Sequence, residues 1–72
     1  MFTMNEIEVL KIVLKDKIPK KINKIKLKKL YVLNGVKLPT FYNHLFVLKA
    51  FEIIKEDKED YIFDMDKEKD FR

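Results

Sequence analysis

At the start of the chain, apolar residues recur with a helical rhythm. Ile7, Val9, Leu10, Ile12, Val13 and Leu14 follow Thr3 and Glu6, whose spacing matches a capping box in which each side chain satisfies a free backbone N–H. The pattern predicts a helix over about residues 3–16. At about 100° per residue its apolar positions cover roughly 220° of the surface, more than one core-facing stripe needs. The surplus flank either packs under Phe2 or the C-terminal tail, or forms a contact with a second copy. Lys15-Asp16-Lys17-Ile18-Pro19 ends the helix, because Pro19 has no N–H and pushes Ile18 out of helical geometry.

Asn23 is a suitable N-cap for a second helix, about 24–34, which directs Leu27, Leu30, Tyr31 and Ile25 toward the first helix. Asn34-Gly35 closes it, since glycine adopts the left-handed backbone that stops a helix. Pro39 suits the first turn of a third helix, about 39–51. Phe41, Leu45 and Leu48 then face inward, Pro39, Asn43, Phe46, Val47 and Ala50 face outward, and Thr40 and Tyr42 sit on the shoulders. Beyond it, Ile53-Ile54-Lys55-Glu56 and Tyr61-Ile62-Phe63-Asp64-Met65 bracket the polar loop Asp57-Lys58-Glu59-Asp60, which reads as a hairpin over about 53–65. Tyr61, Phe63 and Met65 alternate onto the core face, with Ile62 and Asp64 opposite. Residues 66–72 alternate in charge and predict a frayed or partner-dependent tail. The fold class is mainly α with a small β-hairpin (α+β), in a single domain over residues 1–72.

Composition narrows this picture. With 47% hydrophobic and 39% charged residues the chain folds, yet at 72 residues its core is modest unless a second copy adds buried surface. Apolar runs are broken by Lys or Glu every few residues, so no membrane span is expected and the chain reads as cytoplasmic. The absence of cysteine fits a reducing compartment and removes disulfides and thiolate metal sites. Lysine outnumbers arginine 15 to 1, a bias of thermophiles and of AT-rich genomes.

The net charge of +4 is unevenly spread: residues 11–30 carry +8, whereas residues 52–72 carry −4. A basic middle and an acidic end cannot both face a polyanion. With one histidine and no cysteine, no Gly-rich phosphate loop, metal cluster, nucleophilic triad or paired-carboxylate cleft can be assembled. The expectation is therefore no enzyme, no cofactor and no small-molecule ligand, with His44 a packing residue at the edge of the buried face.

Helix, tight turn, helix and strand over Gly35 to Lys55 resembles the second half of a winged helix-turn-helix domain of the ArsR and MarR type. Gly35-Val36, Thr40-Phe41, Leu45, Leu48 and Ile53 fall where such regulators carry Gly-Val, Thr-Val, Leu, Leu and a strand-opening apolar residue. His44-Leu45-Phe46-Val47-Leu48 is similar to the His-Leu-x-x-Leu run of the ArsR branch. The resemblance implies three helices plus a two- or three-stranded wing, with a further short strand at Ile18 or at Lys21-Ile22. It also implies transcription regulation through sequence-specific binding of double-stranded DNA, with the third helix as recognition helix in the major groove. A homodimer through the first helix is common in these families.

Within that reading, Asn43 can pair with adenine, Thr40 and Tyr42 can hold phosphates in the groove, and Lys37 can reach guanine or the backbone. Lys20, Lys21, Lys24 and Lys28 are the phosphate-contacting group. Asn43 stands where many relatives have Arg or Lys, Phe46-Val47 replaces an outward basic pair, and Glu52 replaces the usual glycine after the third helix. The hairpin loop offers Lys58 among three acids. Phe46 and Val47 therefore also support an alternative, a winged-helix protein-protein interaction module without DNA binding. The thiolate metal site of many ArsR-type proteins has no counterpart here.

Overall fold

In the computed structural model, residues 5–70 are described. The chain runs α1 (Glu6–Val13), β1 (Lys21–Asn23), α2 (Lys24–Leu33), α3 (Leu38–Ala50), β2 (Ile54–Asp57), β3 (Asp60–Phe63) and a 3-10 helix at Met65–Asp70. This is an α+β arrangement, three α-helices with one antiparallel sheet in the order β1-β3-β2.

The capping box of α1 is built from Asn5 and Glu8. Glu8 N–H donates to Asn5 Oδ1 at 2.9 Å, and Asn5 N–H donates to Glu8 Oε1 at 3.0 Å. Thr3, expected in this role, lies outside the described residues, and Glu6 is simply the first helical residue. Asparagine is at least as good a cap as threonine, so the same motif operates two positions later. Asn23 caps α2 as expected, its Oδ1 accepting from the N–H groups of Ile25 and Lys26 at 2.9 and 3.2 Å.

All three helices stop by the same device. After the cap residues Leu14, Asn34 and Phe51, the next residue takes positive φ: Lys15 at 54°, Gly35 at 83° and Glu52 at 63°. Its N–H donates three residues back, to Ile12, Val32 and Lys49 respectively, at 2.9–3.1 Å. The following N–H donates five residues back, Asp16 to Lys11, Val36 to Tyr31 and Ile53 to Leu48, at 2.7–3.0 Å. These paired bonds form Schellman motifs, which satisfy the last free carbonyls of a helix. The first helix accordingly ends at Val13, well before Pro19 and short of residue 16, because the turn through Lys15 and Asp16 has already closed it.

The core joins Leu10, Leu27, Tyr31, Phe41, Leu48, Ile53 and Ile54, each almost fully buried. Phe41, Leu45 and Leu48 of α3 face inward as the spacing predicts, and α1 and α2 both pack against α3. Tyr31 meets Phe41 with ring centroids 4.8 Å apart. Helix 2 seats on α3 and β1, its Leu27 and Tyr31 share one core with the buried residues of α1, and Ile25 points to solvent, 60% exposed. Most of the broad apolar surface of α1 is absorbed internally: Ile7, Leu10, Val13 and Leu14 are buried and Val9 half-buried, leaving Ile12 exposed.

The sheet forms with Ile22, Tyr61 and Glu56 in one row, facing the helices with Ile54 and Phe63. Lys21, Ile62 and Lys55 form the neighbouring row on the opposite, exposed face. The hairpin strands extend through Asp57 and Asp60, so the turn is reduced to Lys58 and Glu59, with Lys58 at φ 57°. The segment after β3 is folded rather than frayed over Met65–Asp70. Met65 packs on the core, Glu68 bonds Lys11 at 2.7 Å, and Lys67 lies 3.4 Å from Glu52.

The helix stops make a direct prediction. Nothing lies within 4 Å of a Cβ added at Gly35, so Gly35→Ala costs only the strain of a left-handed residue, about 1 kcal/mol in urea unfolding. Glu52→Gly and Lys15→Gly work in the opposite direction, each raising stability by about 0.5 kcal/mol once the greater unfolded-state freedom of glycine is subtracted.

Candidate nucleic-acid interface

Where β1 runs into α2, the chain is pinned to the hairpin turn: Lys24 N–H donates to the Glu59 carbonyl at 2.9 Å. The side chain of Lys24 then crosses the Tyr61 ring, with Nζ 5.5 Å from its centroid, and reaches Glu56 Oε1 at 2.5 Å. The other carboxylate oxygen of Glu56 is held by Lys49, from the last turn of α3. Two helices and a strand thus converge on one carboxylate.

Strand alternation explains why. Glu56 shares its sheet face with Ile54, so its side chain is directed at the helices rather than away from them. The hydrogen bonds from Lys24 and Lys49 hold its carboxyl at a pKa of about 2, from 4.5. The reciprocal bond raises the ammonium pKa of Lys24, while burial raises the hydroxyl pKa of Tyr61. All three ionic side chains remain partly open to water, so the cluster organises charge more than it stabilises the fold.

Beside it, Lys24, Ile25, Lys28, Phe41, Tyr42 and Tyr61 line a shallow cleft between α2, α3 and β3. Tyr42 is about half exposed, its ring 5.2 Å from that of Phe41. The structure therefore brings together three of the residues singled out in the sequence: Lys24, Lys28 and Tyr42. The others are dispersed. Lys37 is the exposed N-cap of α3 and makes no side-chain capping bond. Asn43 and Thr40 are exposed on α3, but Thr40 lies about 160° around the helix from Tyr42. Lys20 is exposed just before β1, and Lys21 is on the outer face of the sheet, 4.0 Å from Asp60. Lys21 does not form one group with Lys24 and Lys28, because it projects from the outer face of the sheet while they lie on α2 beside the cleft.

Phe46 is 75% exposed, whereas Val47 is half-buried and does not form an outward pair with it. A second groove, almost wholly apolar, runs along Lys28, Lys29, Val32, Leu33 and Leu38 at the α2–α3 turn. His44 is half-buried, edge-on to Tyr31, and its Nδ1 has no hydrogen-bond partner. No group of three or more potential metal ligands occurs among the described residues, and none of their helices is long and apolar enough to cross a membrane.

Lys49, Glu56 and Tyr61 are the members the sequence reading missed. The signal was present: a two-residue period from Ile54 turns Glu56 inward, although it sits in a run of acids that reads as a solvated loop.

The depressed Glu56 pKa sets a pH dependence. Its contribution to stability is complete above about pH 4.5 and is lost as pH falls through that value toward about 2. Thermal melts followed by circular dichroism should show the Tm advantage of the wild type over Glu56→Gln narrowing across that window, and narrowing with added salt at pH 7.

No protein family, curated protein or solved structure matches this chain.

Proposed function

We propose that this chain is a winged helix-turn-helix domain that binds double-stranded DNA in a sequence-specific manner and regulates transcription. The observation that carries this reading is the exposed side of α3, bearing Tyr42, Asn43 and Phe46, flanked by Lys24 and Lys28 of α2. Support also comes from the topology, in which a helix–turn–helix pair follows a strand that pairs with the hairpin closing the sheet. In this reading β2 and β3 are the wing and α3 enters the major groove. Asn43 pairs with adenine, Phe46 meets a thymine methyl, and Tyr42 holds one edge of the groove while Lys37 and Thr40 hold the other. Lys24 and Lys28 neutralise phosphates along α2, and Lys20 and Lys21 reach backbone farther out. Ile12, exposed on α1, is the contact through which two copies address two half-sites.

Anisotropy titrations on promoter-derived duplexes over a salt series test this. Binding should weaken linearly in log–log form with added salt. Asn43→Ala should cost about tenfold on the preferred duplex, and Lys28→Gln should reduce the salt slope by about 1 while leaving sequence preference intact. Undetectable binding at low salt, or binding indifferent to salt, overturns the reading. In sedimentation, Ile12→Glu should convert a dimer to a monomer.

A second reading, a winged-helix module that docks a protein partner, is favoured by the 75% exposed Phe46 and the 79% exposed Leu33. It predicts that Phe46→Ala abolishes function while the Tyr42→Ala, Asn43→Ala pair leaves it unchanged.

A further inference from the structure

The basic residues nearest the exposed side of α3 are not uniformly available to a polyanion. Lys24 and Lys49 come from different helices and end on the two oxygens of a single carboxylate, that of Glu56. Lys28 and Tyr42 line the adjoining cleft with Lys24 and Tyr61, and Lys24 Nζ lies 5.5 Å from the centroid of the Tyr61 ring. Two ammonium groups converging on two oxygens of one anion, with tyrosines beside them, match what a phosphodiester requires of its receptor.

We propose that Lys24 and Lys49, with Lys28 and Tyr42 beside them, form a phosphate seat, and that Glu56 occupies this seat in the free protein as an internal substitute for the phosphate. The inference rests on the DNA-binding reading and adds to it a residue that sets affinity and salt dependence. A backbone phosphate enters by displacing the Glu56 carboxylate from the lysines, so one anion is exchanged for another and few condensed counterions are released at this point. Glu56 thereby lowers affinity for any duplex and suppresses coating of DNA without regard to sequence. Asp57 and Glu59, exposed on the same hairpin, hold neither of these lysines and add only diffuse charge.

The test compares wild type, Glu56→Gln and Glu59→Gln, the last two carrying the same change in net charge. Duplex binding is measured by anisotropy from 50 to 200 mM salt, roughly the range over which phosphate contacts are most legible. Separately, inorganic phosphate is titrated into each labelled protein and followed by amide chemical shifts. Glu56→Gln should bind duplex about tenfold more tightly at the lowest salt, with a slope steeper by about 1 to 2. It should also show saturable phosphate shifts around Lys24 and Lys49. Glu59→Gln should do neither, and Lys49→Gln added to Glu56→Gln should erase both gains.

If all proteins bind duplex but Glu56→Gln and Glu59→Gln behave alike, the seat is wrong and the DNA reading stands. If phosphate shifts appear only in Glu56→Gln while no protein binds duplex, the seat stands and the DNA reading falls. Absence of both signals overturns both. Glu56 is an exposed strand residue, and the dispersion of the amide spectrum verifies that each variant is folded.

Discussion

The contact between Tyr31 and Phe41 sets the relation of α2 to α3, and most of the molecule follows from it. Both side chains are about 1% exposed, and their rings are tilted by 56° at 4.8 Å. An aromatic pair of this geometry contributes about 1 kcal/mol beyond the area it buries. Once Phe41 is committed inward, Leu45 and Leu48 must follow it on the same stripe, and Tyr42, Asn43 and Phe46 are forced to the surface. The exposed side of α3 is therefore a consequence of the core, not a separate feature.

The turns make that arrangement possible in a short chain. Each helix is closed within two residues by paired backbone bonds, so that little length is spent between elements. Gly35 does this without strain, whereas Lys15 and Glu52 do it in a backbone region that side chains disfavour. At Ile53, which follows Glu52, the Schellman motif also delivers a fully buried side chain back onto Leu48, the usual apolar partner of such a stop. That contact holds the strained turn in place.

The surface is divided between two chemistries. Lysines surround the α2–α3 face, but the two that lie closest to the hairpin are engaged by its carboxylate. Between them and beyond the turn, Ile25, Val32, Leu33, Tyr42 and Phe46 leave large apolar side chains in solvent. Lysines interspersed with exposed apolar and aromatic residues suit a DNA groove lined with thymine methyls, and they also suit a protein partner. The Glu56 cluster bears on the difference, because in the proposed phosphate seat a polyanion displaces its carboxylate and a neutral partner does not.

The sequence by itself determined the local features. The N-cap Asn23, the stop at Gly35, the inward stripe Phe41–Leu45–Leu48 and the alternation of Tyr61 and Phe63 are each set by residues within a few positions of one another, so period and capping chemistry suffice to read them. Only the tertiary structure decided which part of the broad apolar surface of α1 is covered, that residues 65–70 fold back on Lys11 and Glu52, and that Lys21 and Lys24 part company across the sheet. It also decided the site. Lys24 and Glu56 are 32 residues apart, and they meet because the register of β3 between its neighbours turns Glu56 toward α2 and α3. Strand register is a property of packing among distant segments, and a run of acids in the sequence carries no mark of which one will face the lysines.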